Sequence, residues 1–143
     1  MDFLKKLFQT PADNEVDYYR EGVELLNAGR YHDALTSFRL AQRSAPSDLA
    51  VQQQIAITYT RIGMTDEAMK TYRAVLKRDP EAAGAHYGLA FLELREGHRD
   101  EAVAHLRRFL ASPPEQPEAG PHIEHARATL ARLEEGRMEN VGS

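Results

Sequence analysis

Apolar and polar positions alternate with a helical period along most of this chain. On either side of Gly29, Gly63 and Gly97 lie pairs of amphipathic stretches, each long enough for a helix of three to four turns. Between Ser112 and Gly120 three prolines and a glycine interrupt the pattern and predict a loop. From Pro121 to Gly136 the pattern resumes. Ile123, Ala126, Leu130 and Leu133 form one apolar stripe, with Glu124, Arg127, Arg132 and Glu134 facing away. At the other end, Phe3, Leu4, Leu7 and Phe8 occupy one arc of a helical wheel, and Asp2, Lys5, Lys6 and Gln9 the other. Thr10-Pro11 ends that short segment, and Ala12 to Asn14 lead into the first long helix.

The helical stretches share a period of 34 residues. Gly29, Gly63 and Gly97 mark it, and three further features keep the same offsets. Ala34, Ala68 and Ala102 follow the glycines by five residues; Phe38, Tyr72 and Leu106 by nine; Pro46, Pro80 and Pro114 by seventeen. Each has a physical reason. The glycine ends a helix in a left-handed conformation that costs it nothing. The alanine marks a close helix crossing, where a bulkier side chain should cost about 1–3 kcal/mol. The large residue one turn on fills the space beyond the crossing. The proline ends the second helix of each pair. Thr65, before Asp66 and Glu67, reads as a helix N-cap with an acidic first turn.

The sets Gly29-Arg30-Tyr31-His32-Asp33-Ala34 with Phe38, Ala41 and Pro46, Gly63-Met64-Thr65-Asp66-Glu67-Ala68 with Tyr72 and Pro80, and Gly97-His98-Arg99-Asp100-Glu101-Ala102 with Leu106 and Pro114 resemble the tetratricopeptide repeat. The resemblance spans about 100 of the 143 residues. It implies an all-α, right-handed superhelical solenoid of antiparallel helix pairs. Three repeats cover 15–114, with register units 15–48, 49–82 and 83–116. First helices are expected near 15–28, 48–62 and 82–96, and second helices near 31–44, 65–78 and 99–111. Residues 1–14 form the amphipathic segment and linker, and 115–120 a loop. Residues 121–136 are expected as a capping helix that covers the last apolar surface of the array, and 137–143 as a mobile tail. Four residues depart from the family pattern: Glu21, Gln52, His86 and Glu93 stand where apolar or aromatic residues are usual.

The resemblance also implies a concave ligand face lined by the first helix of each repeat. Its positions here are Tyr19, Val23, Leu26 and Asn27; Gln53, Ile57, Thr60 and Arg61; and Tyr87, Phe91, Leu94 and Arg95. Family members that grip a C-terminal carboxylate use Lys and Asn where Tyr19 and Val23 stand, so that clamp is absent. An apolar or aromatic centre edged by Asn27, Arg61 and Arg95 suits an apolar peptide or an amphipathic helix with acidic groups near the arginines. Packing between repeats is the competing use of the same side chains.

The remaining chemistry narrows the function class. Net charge is −4, with 18 basic and 22 acidic residues mixed along the chain, which argues against general nucleic-acid binding. Cysteine is absent. No apolar run of membrane-spanning length appears, and the N-terminus does not read as a secretory signal, so the cytoplasm is the expected location. No phosphate-binding glycine loop or nucleophile elbow is present. His122 and His125 offer only two nitrogens, which reads as a surface pair rather than a zinc site. His98 and His105 have no evident partner beyond spaced pairs such as Glu101 with His105. No cofactor, metal or enzymatic role is expected. The expected role is an adaptor or scaffold for another protein. The N-terminal segment has three readings: a cap on the first helix, a helix that docks into another copy, or a weak membrane-surface contact.

Overall fold

Seven α-helices and one short 3-10 turn make up the regular structure of the computed structural model, which describes residues 16–142. They are α1 Tyr18–Asn27, α2 Tyr31–Ser44, α3 Leu49–Ile62, α4 Thr65–Arg78, α5 Ala83–Arg95, α6 Arg99–Ala111 and α7 Gly120–Gly142, with the 3-10 turn at Pro117–Ala119 before α7. The Phe3, Leu4, Leu7 and Phe8 segment lies outside the described residues.

Backbone chemistry explains where the first helices stop. Gly29, Gly63 and Gly97 adopt φ of +78°, +93° and +81°. Around each, the same two hydrogen bonds close the helix end. The glycine N–H donates to Leu26, Thr60 or Leu94, and the following N–H reaches back to Leu25, Tyr59 or Glu93. This satisfies carbonyls that the helix leaves unpaired. Asp17 and Asp48 cap the starts of α1 and α3, accepting from the Arg20 and Ala50 amides at 3.0 and 2.9 Å.

Two expectations are corrected. Thr65 is the first residue of α4, not its cap; Met64 is the cap and has no side-chain hydrogen bond. The turn is so short that Met64 serves both helices, its N–H closing α3 on Tyr59 and its carbonyl accepting from Ala68. The capping helix expected at 121–136 is also longer, because α7 continues to Gly142. No proline follows Gly136 to stop it, and one glycine inside a helix costs only about 1 kcal/mol. Gly136 instead leaves room for Arg99. A Cβ there would stand 3.1 Å from the guanidinium, which donates to the Leu133 carbonyl.

Each helix packs on the next in sequence, and α1 also touches α3, as α3 touches α5. The first helices of the repeats therefore form the inner layer and the second helices the outer one. Ala34, Ala68 and Ala102 are fully buried at the crossings, and Phe38, Tyr72 and Leu106 fill the space beyond. One core runs through the first two repeats into α5. A second joins Ala90, Leu106 and Phe109 to Ala126 of α7, with Ile123, Leu130 and Leu133 packed around them. No helix among the described residues is long and apolar enough to cross a membrane.

Candidate functional site

The inner layer holds a cavity of about 570 Å³ between the second and third repeats. Helix α3 contributes Ile57, Thr60 and Arg61; α5 contributes Gly84, Tyr87, Gly88, Phe91, Leu92 and Arg95; α4 contributes Tyr72. Phe109 of α6, Pro114 of the following loop, Ala119 of the 3-10 turn and His122 of α7 complete the wall. A smaller, more open groove lies toward the N-terminus, lined by Leu26, Asn27, Ala28, Gly29, Tyr31, Gln54, Ile57 and Arg61.

The twelve side chains expected on one face are thus divided. Ile57, Thr60, Arg61, Tyr87, Phe91 and Arg95 line the larger cavity, and Leu26 and Asn27 the smaller groove. Tyr19, Val23, Gln53 and Leu94 line neither. Tyr19 packs toward Phe38 at 6.1 Å between ring centroids, and its hydroxyl accepts from Gln54 Nε2 at 3.4 Å. Val23 rests against the main core. Gln53 covers Gly84, where an added Cβ would meet Gln53 Oε1 at 2.5 Å. Leu94 is half-buried.

Tyr87 and Phe91 are also packing residues. Tyr87 lies 4.9 Å from Phe91, 5.1 Å from Phe109 and 5.0 Å from His122, centroid to centroid. His125 stacks on Phe91 at 4.7 Å. The histidine pair of α7 is therefore an aromatic wall over the third repeat. No cluster of three or more metal-ligating side chains occurs among the described residues.

Sequence reasoning missed Tyr72, Gly84, Gly88, Leu92, Phe109, Pro114, Ala119 and His122 in this wall. Gly84 and Gly88 are one turn apart on α5, a signal that was open to reading. At Gly88 a Cβ would fall 2.3 Å from the Tyr72 ring, so glycine is what lets that ring lie against α5. Burial pushes the Tyr72 hydroxyl up to about 12, against the opposing effect of a hydrogen bond with Thr60. Burial likewise raises Tyr87. Both phenols are neutral at physiological pH.

Behind the cavity, α5 is held by a polar network, and here another expectation is corrected. Glu93 is almost wholly buried, yet both its oxygens are used: Arg73 donates to Oε1 at 2.8 Å, and His98 Nδ1 lies 2.6 Å from Oε2. His98 therefore has a carboxylate partner. His105 meets His86, Nδ1 to Nδ1 at 3.0 Å, while His86 Nε2 donates to the Pro80 carbonyl at 2.7 Å. With His86 Nε2 turned to a carbonyl and so protonated, a single N–H between the facing Nδ1 atoms joins the two rings. Burial, and then His86 beside it, hold His105 below the ordinary imidazole value.

The cavity's rim is cationic. Arg61 and Arg95 are exposed and occupy the same register position one repeat apart. Among the described residues neither makes an ion pair. No Asp or Glu lines the cavity.

Comparison with known proteins agrees with the repeat architecture. The family model described as protein kinase G tetratricopeptide repeat matches residues 1–133. No protein with a curated description matches. Among solved structures, the Yersinia enterocolitica type III secretion translocator chaperone SycD is similar with a TM-score of 0.76 at 18% identity, covering 87% of this chain and 90% of that one. PcrH in complex with the chaperone-binding region of PopD gives 0.76 at 19% identity, covering 88% and 95%. PcrH comes from Pseudomonas aeruginosa. The first repeat domain of Spaghetti bound to an HSP90 peptide gives 0.71 at 15% identity, covering 85% and 90%. At these identities the likeness is one of fold.

Proposed function

Because this chain belongs to the protein kinase G tetratricopeptide repeat family, we propose that it is a non-catalytic protein–protein interaction scaffold or adaptor that takes an apolar or amphipathic peptide into its concave face. The observation that carries this reading is the cavity of about 570 Å³ on the inner layer, with Ile57, Tyr87, Phe91 and Phe109 in its wall. That volume lies in the range of built ligand sites. Each large apolar side chain buried there contributes about 1.5–3 kcal/mol before ordering costs. Structures of the same fold support it: SycD has been solved with a peptide of the translocator YopD, and PcrH with a segment of PopD. The lysine- and asparagine-based carboxylate clamp has no counterpart at Tyr19 and Val23, so the peptide's apolar side chains supply the anchor. A cytoplasmic setting fits this role.

Affinity capture from the native cell tests the reading, with Tyr87→Ala plus Phe91→Ala as control. The double variant is expected to lose a partner that the unaltered chain retains, at unchanged helix content by circular dichroism. Unchanged capture places the interaction elsewhere.

A second reading is self-association through the N-terminal segment. It rests on the apolar arc of Phe3, Leu4, Leu7 and Phe8, and SycD has been described as a dimer. Removing residues 1–10 and measuring mass in solution separates it from the adaptor reading, and liposome co-sedimentation tests the membrane contact.

A further inference from the structure

The chain carries 22 acidic residues against 18 basic ones, yet its inner cavity has no carboxylate in its wall and two arginines at its rim. Several other arginines are engaged: Arg73 with Glu93, Arg107 with Glu134, Arg108 with Glu81. Arg61 and Arg95 are left to solvent. Each follows an apolar cavity residue by one helical turn, Arg61 after Ile57 and Arg95 after Phe91. Four-residue spacing stacks the two side chains of each pair on one face. The wall therefore presents the same rung twice, apolar below and cationic above.

Resting on the cavity as the binding site, we infer that its peptide is acidic as well as apolar, with carboxylates seated on Arg61 and Arg95 while apolar side chains fill the space beside Ile57 and Phe91. The guanidinium fork matches a carboxylate in two parallel hydrogen bonds. Exposed pairs of this kind add little bulk affinity. Their effect is selection: like charges are repelled and acidic peptides attracted. The arginines thus decide which apolar peptide enters.

Three labelled helical peptides of equal length test this by fluorescence anisotropy against the full chain. One carries Leu on one edge and Glu on the other; in the second Lys replaces each Glu; in the third Ser replaces each Leu. The Leu/Glu peptide is expected to bind at least about tenfold more tightly than either of the others. Arg61→Glu with Arg95→Glu should reverse the preference toward Leu/Lys. Arg61→Gln with Arg95→Gln should erase it, and serves if the reversed variant does not fold. Equal binding of the Leu/Glu and Leu/Lys peptides, or a preference that survives the Gln pair, overturns the acidic specificity and leaves the cavity standing. Equal binding of Ser/Glu and Leu/Glu also overturns it, since charge alone then suffices. Binding of none of the three overturns the inference together with the cavity reading.

Discussion

The two halves of the inner surface share one register and differ in what the register carries. Toward the N-terminus, the groove between the first and second repeats is edged by Asn27, Tyr31 and Gln54. Toward the C-terminus, the cavity between the second and third repeats is walled by Tyr87, Phe91, Phe109 and Tyr72 and closed at one end by α7. The period decides where a side chain stands, and the individual residue decides what the place can bind. Contacts between repeats show the same lesson. Arg39 donates to the Tyr59 hydroxyl at 2.5 Å, and 34 residues on Arg73 donates to Glu93 at 2.8 Å. One geometric contact is a phenol hydrogen bond in the first half and, in the second, an ion pair from a half-exposed arginine to a buried carboxylate.

The largest test of this difference is to remove its cause at the C-terminal end. Truncation after Ser112 deletes α7 and uncovers Leu106 and Phe109. Loss of the contacts made by Ala126, Ile123, Leu130 and Leu133 should cost roughly 3–6 kcal/mol. Urea denaturation measures it, and an unchanged midpoint would show that the third repeat stands without its cap. Next come the paired contacts. Glu93→Gln should cost about 2 kcal/mol, because a buried carboxylate that holds a guanidinium and an imidazole is lost. Tyr59→Phe should cost under about 1 kcal/mol for one neutral hydroxyl. Equal losses in the same denaturation experiment would erase the contrast.

A finer comparison uses two helical glycines. At Gly22 a Cβ would fall 2.5 Å from the ring of fully buried Phe38. At Gly88 it would fall 2.3 Å from Tyr72, whose ring borders the cavity. Overpacking costs about 1–3 kcal/mol, and alanine returns about 1 kcal/mol of helix propensity. Gly22→Ala should therefore lose up to about 2 kcal/mol net. Gly88→Ala should stay near zero, because Tyr72 can yield into the cavity, and should weaken peptide binding instead. Thermal melts alongside anisotropy check both.

The smallest effect is one of pH. His105 is held below 6.5 chiefly by burial and then by His86; Arg73 and Arg108 push the same way and Glu93 opposes. The unfolded chain then binds this proton more readily than the folded one. The contribution is complete above the unfolded value of about 6.5 and is lost as pH falls toward the lowered folded value. His105→Gln should flatten the decline in melting temperature between pH 7 and 5. A decline as steep as in the unaltered chain would assign it to other groups.

What could be read from the chain and what could not follow from the range of the forces involved. Glycine φ, alanine crossings and proline stops act within one or two turns, so Gly63, Ala68 and Pro80 announce a helix pair by themselves. The departures at Glu21, His86 and Glu93 needed the fold. Glu21 lies exposed in the first turn of α1, where a carboxylate favours the helix dipole. Glu93 and His86 are buried only because Arg73, His98 and His105 arrive from other helices. Gln52, the fourth departure, keeps a buried Oε1 with no partner among the described residues, and no compensating contact explains it. The cavity was legible through Ile57, Phe91 and the two arginines, which follow the period. Phe109, Ala119 and His122 were not, because their place depends on how α7 returns across the third repeat.

The central claim is that the proposed peptide seats in the C-terminal half of the inner surface. Titrating the ¹⁵N-labelled chain with the Leu/Glu peptide tests it most directly by amide shifts. Perturbations are expected at Thr60, Gly88, Phe91 and Arg95, with Asn27, Ala28 and Tyr31 left in place. Perturbations centred on Asn27 and Tyr31, with Gly88 and Phe91 unmoved, would contradict it.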